Sequence, residues 1–315
     1  MRLATVISRA GESPVPAAAA PGGGWVPLAS LAGREGPRME DHLPWVAANP
    51  GELARRLGRW AGPVIGEKGA ALLPPVVRPP SFRDFYAFEA HVKAARRQRG
   101  LEMPPAWYEI PVFYFSNPSS LVGHLAPVYP PEGCRELDYE LELGIVIGEG
   151  GRDIAPAEAW RHVAGLTIVN DLSARDLQRR EMTAGLGPAK GKDFATAAGP
   201  WLVTLDAVSD RISGEALSLE MSARVNGRPL SRGNTNALHH TVPRLVAQAS
   251  RDADLLPGDL LGTGTVGTGC ILELGPEAAG GWLQAGDVVE LEIERIGILA
   301  TPIAPRPAPA VRPSG

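Results

Sequence analysis

Cysteine is scarce in this 315-residue chain, which carries only Cys134 and Cys270. Two cysteines cannot staple a disulfide framework, and their separation is not the spacing of a metal-binding motif. Long hydrophobic runs are missing too. No apolar stretch reaches the length needed to cross a bilayer, and Met1-Arg2 is not followed by the apolar core of a secretory signal. Nor is positive charge in excess: 31 Lys and Arg face 35 Asp and Glu, a net charge of -4. That balance argues against nucleic acid or an anionic membrane as the main partner. Basic residues cluster only in Lys93 to Arg99 and at Arg179-Arg180. The expected compartment is the cytoplasm.

What is abundant is glycine (37) and proline (31), within a chain that is 44% hydrophobic. Such a composition suits many short strands joined by turns around a substantial core, not a helix bundle. Met1 to Ser8 reads as a strand, Ala10 to Gly24 as a flexible Pro/Ala/Gly insertion, and Trp25 to Leu31 as a second strand. Leu43, Val46, Leu53, Leu57 and Trp60 recur at helical spacing, which predicts one or two helices over His42 to Trp60. Leu72 to Pro80 is proline-stiffened and extended. A domain boundary is placed there, giving a small N-terminal domain (1–75), a larger domain (76–305) and a flexible tail (306–315). Beyond the boundary a helix is expected over Ser81 to Arg99, with Ser81 as N-cap. Strands follow at Val112 to Ser116, Leu137 to Ile147, Leu166 to Asn170, Trp201 to Leu205, Leu217 to Val225, Gly269 to Leu274 and Val288 to Ile296. Asn226-Gly227 signals a hairpin, and Thr241 to Gln248 a helix. The class is α+β, mostly β with some α.

The sharpest chemical feature is Glu140-Leu141-Glu142 within an otherwise apolar strand. Residues two apart on a strand face the same side, so both carboxylates project together and repel, more so if buried. A divalent cation would relieve that; so would a solvated strand face. Asp171 ends an apolar strand and opens a turn or helix start, where it could serve as an N-cap. Asp84 stands near the start of the helix after the boundary, where an acid also suits the helix dipole. Four carboxylates without Cys or His select a hard cation, Mg²⁺ or Ca²⁺, over Zn²⁺.

The strings DFYAFEAH, LDYELELG, NDLSARDLQ, KGKDFATAAGP and LLGTGTVGTG, in this order, resemble the fumarylacetoacetate hydrolase family over roughly Val76 to Pro305. The resemblance implies a mixed β-sandwich roll with a small N-terminal domain, a homodimer, and one divalent metal held by Asp84, Glu140, Glu142 and Asp171. It implies a general base at His91, two helical turns after Asp84, oriented by Glu273 on a late strand. Histidine suits that role because imidazole titrates near neutrality. Arg175, Gln178 and Lys192 match groups near the reacting carbonyl, where donors stabilise an oxyanion. Tyr86, Tyr114, Gly264 and Thr265 match substrate contacts. One departure is Gly100, which stands where the pattern has a substrate-binding arginine; Arg96, Arg97 and Arg99 are nearby. The implied activity is metal-dependent hydrolysis of a C–C bond in a 1,3-diketo acid, such as fumarylacetoacetate or an acylpyruvate. The alternative within the family is a lyase or isomerase: a 2-oxo acid decarboxylase, hydratase or tautomerase.

Overall fold

The structure is a computed structural model and describes residues 1–307. Most of the expected tail, 308–315, lies outside the described residues. The chain opens with β1 (Arg2–Ile7), β2 (Val15–Ala19) and β3 (Trp25–Pro27), each antiparallel to the one before. β2 falls inside the stretch expected to be a flexible insertion. Its small side chains let Ala17 and Ala18 pack with no exposure once β1 supplies the hydrogen bonds. The second half of the expected second strand turns instead into α1 (Leu28–Ala32), closed by Gly33 at φ 66. α2 (Leu43–Ala48) and α3 (Pro50–Gly58) form where the helical spacing places them, with Leu43, Val46, Leu53 and Leu57 buried. β4 (Ala71–Leu73) then pairs with β1.

The helix expected from Ser81 is half strand. β5 (Phe82–Phe85) precedes α4 (Glu89–Gln98), whose N-cap is Phe88 and not Ser81. All four β5 residues are buried, because the strand lies between two neighbours in the sheet. Strands covered on both faces lose the polar alternation that would announce them. α5 (Pro105–Glu109), β6 (Phe113–Phe115) and β7 (Leu121–Val122) come next. The strand expected over Leu137 to Ile147 is interrupted at Tyr139-Glu140, giving β8 (Leu137–Asp138) and β9 (Leu141–Ile147). They lead to α6 (Ala159–His162), β10 (Val163–Asn170), β11 (Ser173–Ala174), α7 (Arg175–Met182) and β12 (Thr196–Thr204). After β13 (Ile212–Ser213) and β14 (Ala216–Leu217), β15 (Glu220–Val225) and β16 (Arg228–Asn234) form the expected hairpin. Asn226 and Gly227 take the positive φ (52 and 76) that its tight turn needs. α8 (Val242–Ser250) and β17 (Leu260–Gly262) lead to α9 (Ile271–Leu274), where a strand was expected. α10 (Pro276–Ala279), β18 (Val288–Ile293) and β19 (Gly297–Pro302) complete the described chain.

The large sheet runs β3-β2-β1-β12-β10-β9-β17-β5-β6, with β4 and β7 joined at its side; β16-β15-β18-β19 form a second sheet. One face of the large sheet (Leu141, Leu143, Ile145) packs against the second sheet through Met221, Leu291 and Ile293. The opposite face (Val146, Val169, Leu202, Leu260) packs against Leu28, Leu31, Leu43, Val46 and Leu53 of α1, α2 and α3. The segment before the expected boundary therefore shares both a sheet and a core with the residues beyond it. Among the described residues no helix is long and apolar enough to cross a membrane.

Candidate active site

The topology brings the acids to one end of the large sheet. β17 runs parallel to β5 with Gly262 opposite Asp84, and antiparallel to β9 with Gly262 opposite Gly144. β10 runs antiparallel to β9 with Val169 opposite Glu142, so Asp171, one residue past β10, arrives beside the start of β9. A Cβ on Gly262 would come within 2.5 Å of Asp84 Oδ1 and 2.9 Å of Glu142 Oε2. Only glycine lets these two carboxylates converge there. Asp84 reaches the cluster from a strand and not from a helix, so it shares no helix face with His91.

Carboxylate oxygens of Asp84, Glu142 and Asp171 lie within 4.8 Å of one another, and all three residues are buried. Burial, then the charge of Asp171, pushes the Asp84 carboxyl well above its ordinary value. Burial, then Asp84 and Asp171, does the same to Glu142. Asp84 Oδ1 has no hydrogen-bond partner among the described residues. Three converging oxygen donors, one of them orphaned, fit a hard divalent cation, which supplies the missing partner and relieves the repulsion.

Glu140 stands apart from these three. Its Oε1 accepts from Arg175 Nη2 at 2.7 Å, and its Oε2 accepts from Lys192 Nζ, which also donates to Asp171 Oδ2. Burial alone would raise the Glu140 carboxyl, but Lys192, Arg175 and His91 outweigh it and hold Glu140 well below the usual range. The same carboxylates overcome burial at Lys192 and keep its ammonium charged. The structure thus gathers three of the four expected metal ligands and ties the fourth to two cations.

His91 is delivered by α4 and Glu273 by α9. Glu273 Oε1 lies 2.5 Å from His91 Nδ1, with the two side chains 6% and 5% exposed. Glu273 Oε2 accepts from Thr268 N at 3.0 Å. A carboxylate at Nδ1 fixes the proton there and leaves the Nε2 lone pair free to take one. Glu273 was expected on a strand and sits on a short helix. The physical reason is Asp138, whose carboxylate accepts from Ile271 N at 2.7 Å and Leu272 N at 3.0 Å, capping the first turn. The same carboxylate accepts from Arg175 Nε at 2.8 Å. Asp138 escaped the sequence reading, although Asp138, Glu140 and Glu142 alternate along one stretch.

Arg175 Nη1 also donates to Gln178 Oε1 at 3.1 Å, so these two residues act on one spot. Tyr114 donates to Asp171 Oδ2 at 2.7 Å, and Thr196, also missed, to Asp171 Oδ1 at 3.1 Å. Tyr86 meets His91 edge-on at 5.3 Å, and burial pushes its phenol up to about 12. Gly264 donates its N–H to Glu142 Oε2 at 3.2 Å, so it braces an acid, and the buried Thr265 hydroxyl has no partner among the described residues. A cavity of about 230 Å³ lined by Tyr114, Ser116, Asn117 and Lys192 adjoins the cluster. The charges of Arg99 and Arg96 act on Tyr86; all three arginines lie at the C-terminal end of α4, with Arg97 and Arg99 exposed.

Residues 81–304 match the family model described as fumarylacetoacetate (FAA) hydrolase, C-terminal. The chain is 37% identical over 195 residues to a mitochondrial oxaloacetate tautomerase of Xenopus laevis, covering 61% of this chain and 58% of that one. It is 40% identical over 190 residues to a 2,4-didehydro-3-deoxy-L-rhamnonate hydrolase of Sphingomonas sp. (strain SKA58), covering 59% and 62%. The match thus spans less than two thirds of either relative. Among solved structures, the fumarylacetoacetate hydrolase of psychrophilic Exiguobacterium antarcticum superposes with a TM-score of 0.72 at 27% identity, over 97% of this chain and 100% of that one. With the matched model spanning most of its length, the chain belongs to the fumarylacetoacetate hydrolase family.

Proposed function

We propose that this protein is a metal-dependent hydrolase that cleaves a C–C bond in a 1,3-diketo acid such as fumarylacetoacetate or an acylpyruvate. The supporting observation is the buried His91–Glu273 pair, tied to Glu140 through Asp138, which caps the helix of Glu273 and accepts from the Arg175 that also holds Glu140. Asp84, Glu142 and Asp171, joined by Glu140, would hold Mg²⁺ or Ca²⁺, which when bound supplies Lewis-acid polarisation of the dicarbonyl.

The other steps belong to the chain's own residues. Glu273 holds the Nδ1 proton, and His91 Nε2 takes a proton from water. The water oxygen bonds to a substrate carbonyl carbon. Lys192 and Arg175, with Gln178 bonded to Arg175, would stabilise the oxyanion, at about 2.7–4 kcal/mol per donor. Tyr86, Tyr114 and Thr265 would contact the substrate, with Gly264 beside them through its bond to Glu142. The C–C bond then breaks, its electron pair goes to the departing carbon, and His91 returns its proton there. A homodimer in the cytoplasm completes the proposal, and light scattering on the purified chain tests the oligomer.

The second reading is tautomerisation, favoured by the likeness to an oxaloacetate tautomerase. A His–Glu base moves a proton between carbon and oxygen without needing water. Incubating the protein with fumarylacetoacetate, an acylpyruvate and oxaloacetate, with Mg²⁺ and with chelator, separates the two. Hydrolysis gives two fragments, sensitive to chelator. Tautomerisation of oxaloacetate at unchanged mass, with both diketo acids left intact, would overturn the proposal.

A further inference from the structure

The His91–Glu273 pair has a third neighbour that the proposed hydrolysis does not use. Cys270 is fully buried at the start of α9, and its Sγ lies 3.7 Å from Glu273 Oε1. Donor atoms of His91, Cys270 and Glu273 all fall within 4.8 Å of one another. This set differs in kind from the oxygen cluster of Asp84, Glu142 and Asp171. One imidazole, one thiol and one carboxylate are the donors of a tetrahedral zinc site, whereas hard oxygens alone suit Mg²⁺ or Ca²⁺. Donors around one zinc ion stand about 3.5 Å apart, given metal–ligand bonds of about 2.0–2.3 Å. The observed spread therefore closes onto an ion by side-chain rotation, with His91 and Glu273 parting and Cys270 drawing in.

We infer that His91, Cys270 and Glu273 form a second metal site, selective for Zn²⁺ or a similar thiophilic divalent cation, whose occupation withdraws the base and inhibits the enzyme. The inhibition rests on the reading of His91 as the base; the site itself does not. Burial holds the Cys270 thiol well above its ordinary value, so it is protonated in the metal-free protein. Binding forms a metal–thiolate bond and releases the thiol proton to solvent, and the imidazole shifts its proton to Nε2 and binds through Nδ1, the nitrogen that faces Glu273. The thiol exchanges its long hydrogen bond to Glu273 for a bond to the metal, while the sixfold oxygen preference of Mg²⁺ keeps that ion at the other cluster.

The test uses the full chain in excess Mg²⁺. Zn²⁺ is titrated against turnover for the wild type and for Cys270→Ser and Cys270→Ala, each normalised to its own zinc-free rate. In parallel, Co²⁺ is added to the wild type and the thiolate-to-cobalt charge-transfer absorption is recorded. The expected result is a cobalt–thiolate band in the wild type and a half-inhibitory Zn²⁺ concentration raised roughly ten-fold or more in both variants, since losing even an outer-sphere partner costs that much. No thiolate band, or equal zinc sensitivity in all three proteins, would overturn the site. A thiolate band without inhibition would uphold the site and count against His91 as the base.

Discussion

Asp84, Glu142 and Asp171 put three carboxyl groups within reach of one point in a buried interior. At this scale, function and stability pull apart. Glu142→Gln removes an acid that burial and its acidic neighbours force to keep its proton in the metal-free fold. Near neutral pH the metal-free protein should melt about 2–4 °C higher if about 1 kcal/mol of that protonation cost is relieved, while Mg²⁺ affinity should fall at least about ten-fold. Calorimetry of both forms checks this, and a variant that binds Mg²⁺ as tightly as the wild type would remove Glu142 from the site. His91→Ala should lower kcat by about 10²–10⁴-fold with metal affinity intact; near-normal turnover would show that the base lies elsewhere. The Glu140-Leu141-Glu142 pair stood out in the sequence as two acids two apart in an apolar run, although the strand begins only at Leu141. The engagement of Glu140 by Arg175 and Lys192 was not legible, because those cations arrive from positions 35 and 52 residues away.

At the scale of elements, two misread segments carry the site. β5 looked helical because its aromatic and charged residues follow no strand alternation, and only its neighbours β17 and β6 make it a buried strand. α9 looked like a strand because its apolar residues suit one, yet Asp138 captures its first N–H groups and turns it into a helix. Asp138 thereby joins Arg175 to the element that presents Glu273. Asp138→Ala leaves Arg175 short of a partner in the interior and α9 uncapped, so the expected destabilisation is about 3–5 kcal/mol in urea unfolding. A loss under about 1 kcal/mol would show that Asp138 braces nothing. Gly262→Ala should disrupt metal binding, because its Cβ would fall 2.5 Å from Asp84 Oδ1. Titration calorimetry with Mg²⁺ reads that effect directly, and unchanged affinity would mean that the two carboxylates need not converge.

For the whole molecule, the α+β class was legible from the Gly/Pro punctuation and the short apolar runs, and the sandwich from the family resemblance. The join between the first 75 residues and the rest was not, since Ala17 and Ala18 look like linker until β1 and β12 extend one sheet around them. Protonation couples the fold to the metal. Asp84 and Glu142 keep their protons in the metal-free fold at pH values where the unfolded chain has lost them. They therefore weaken the metal-free fold as pH rises above the ordinary carboxylate range. Glu140, held low, acts oppositely: its contribution is full above the unfolded value and declines as pH falls below it. Metal binding must expel the protons of Asp84 and Glu142, so it releases protons and is favoured as pH rises. The Mg²⁺-induced rise in Tm should thus be larger at about pH 8 than at about pH 5.5, where an equal rise would contradict the assignment of these acids.

The most direct measurement tracks turnover of fumarylacetoacetate by the Mg²⁺-loaded protein in oxygen-18-enriched water, with product masses as the readout. The expected result is two fragments, one carrying a single heavy oxygen in its newly formed carboxylate, with both lost on adding chelator. Unlabelled products, or a substrate isomer of unchanged mass, would contradict hydrolysis by a His91-activated water.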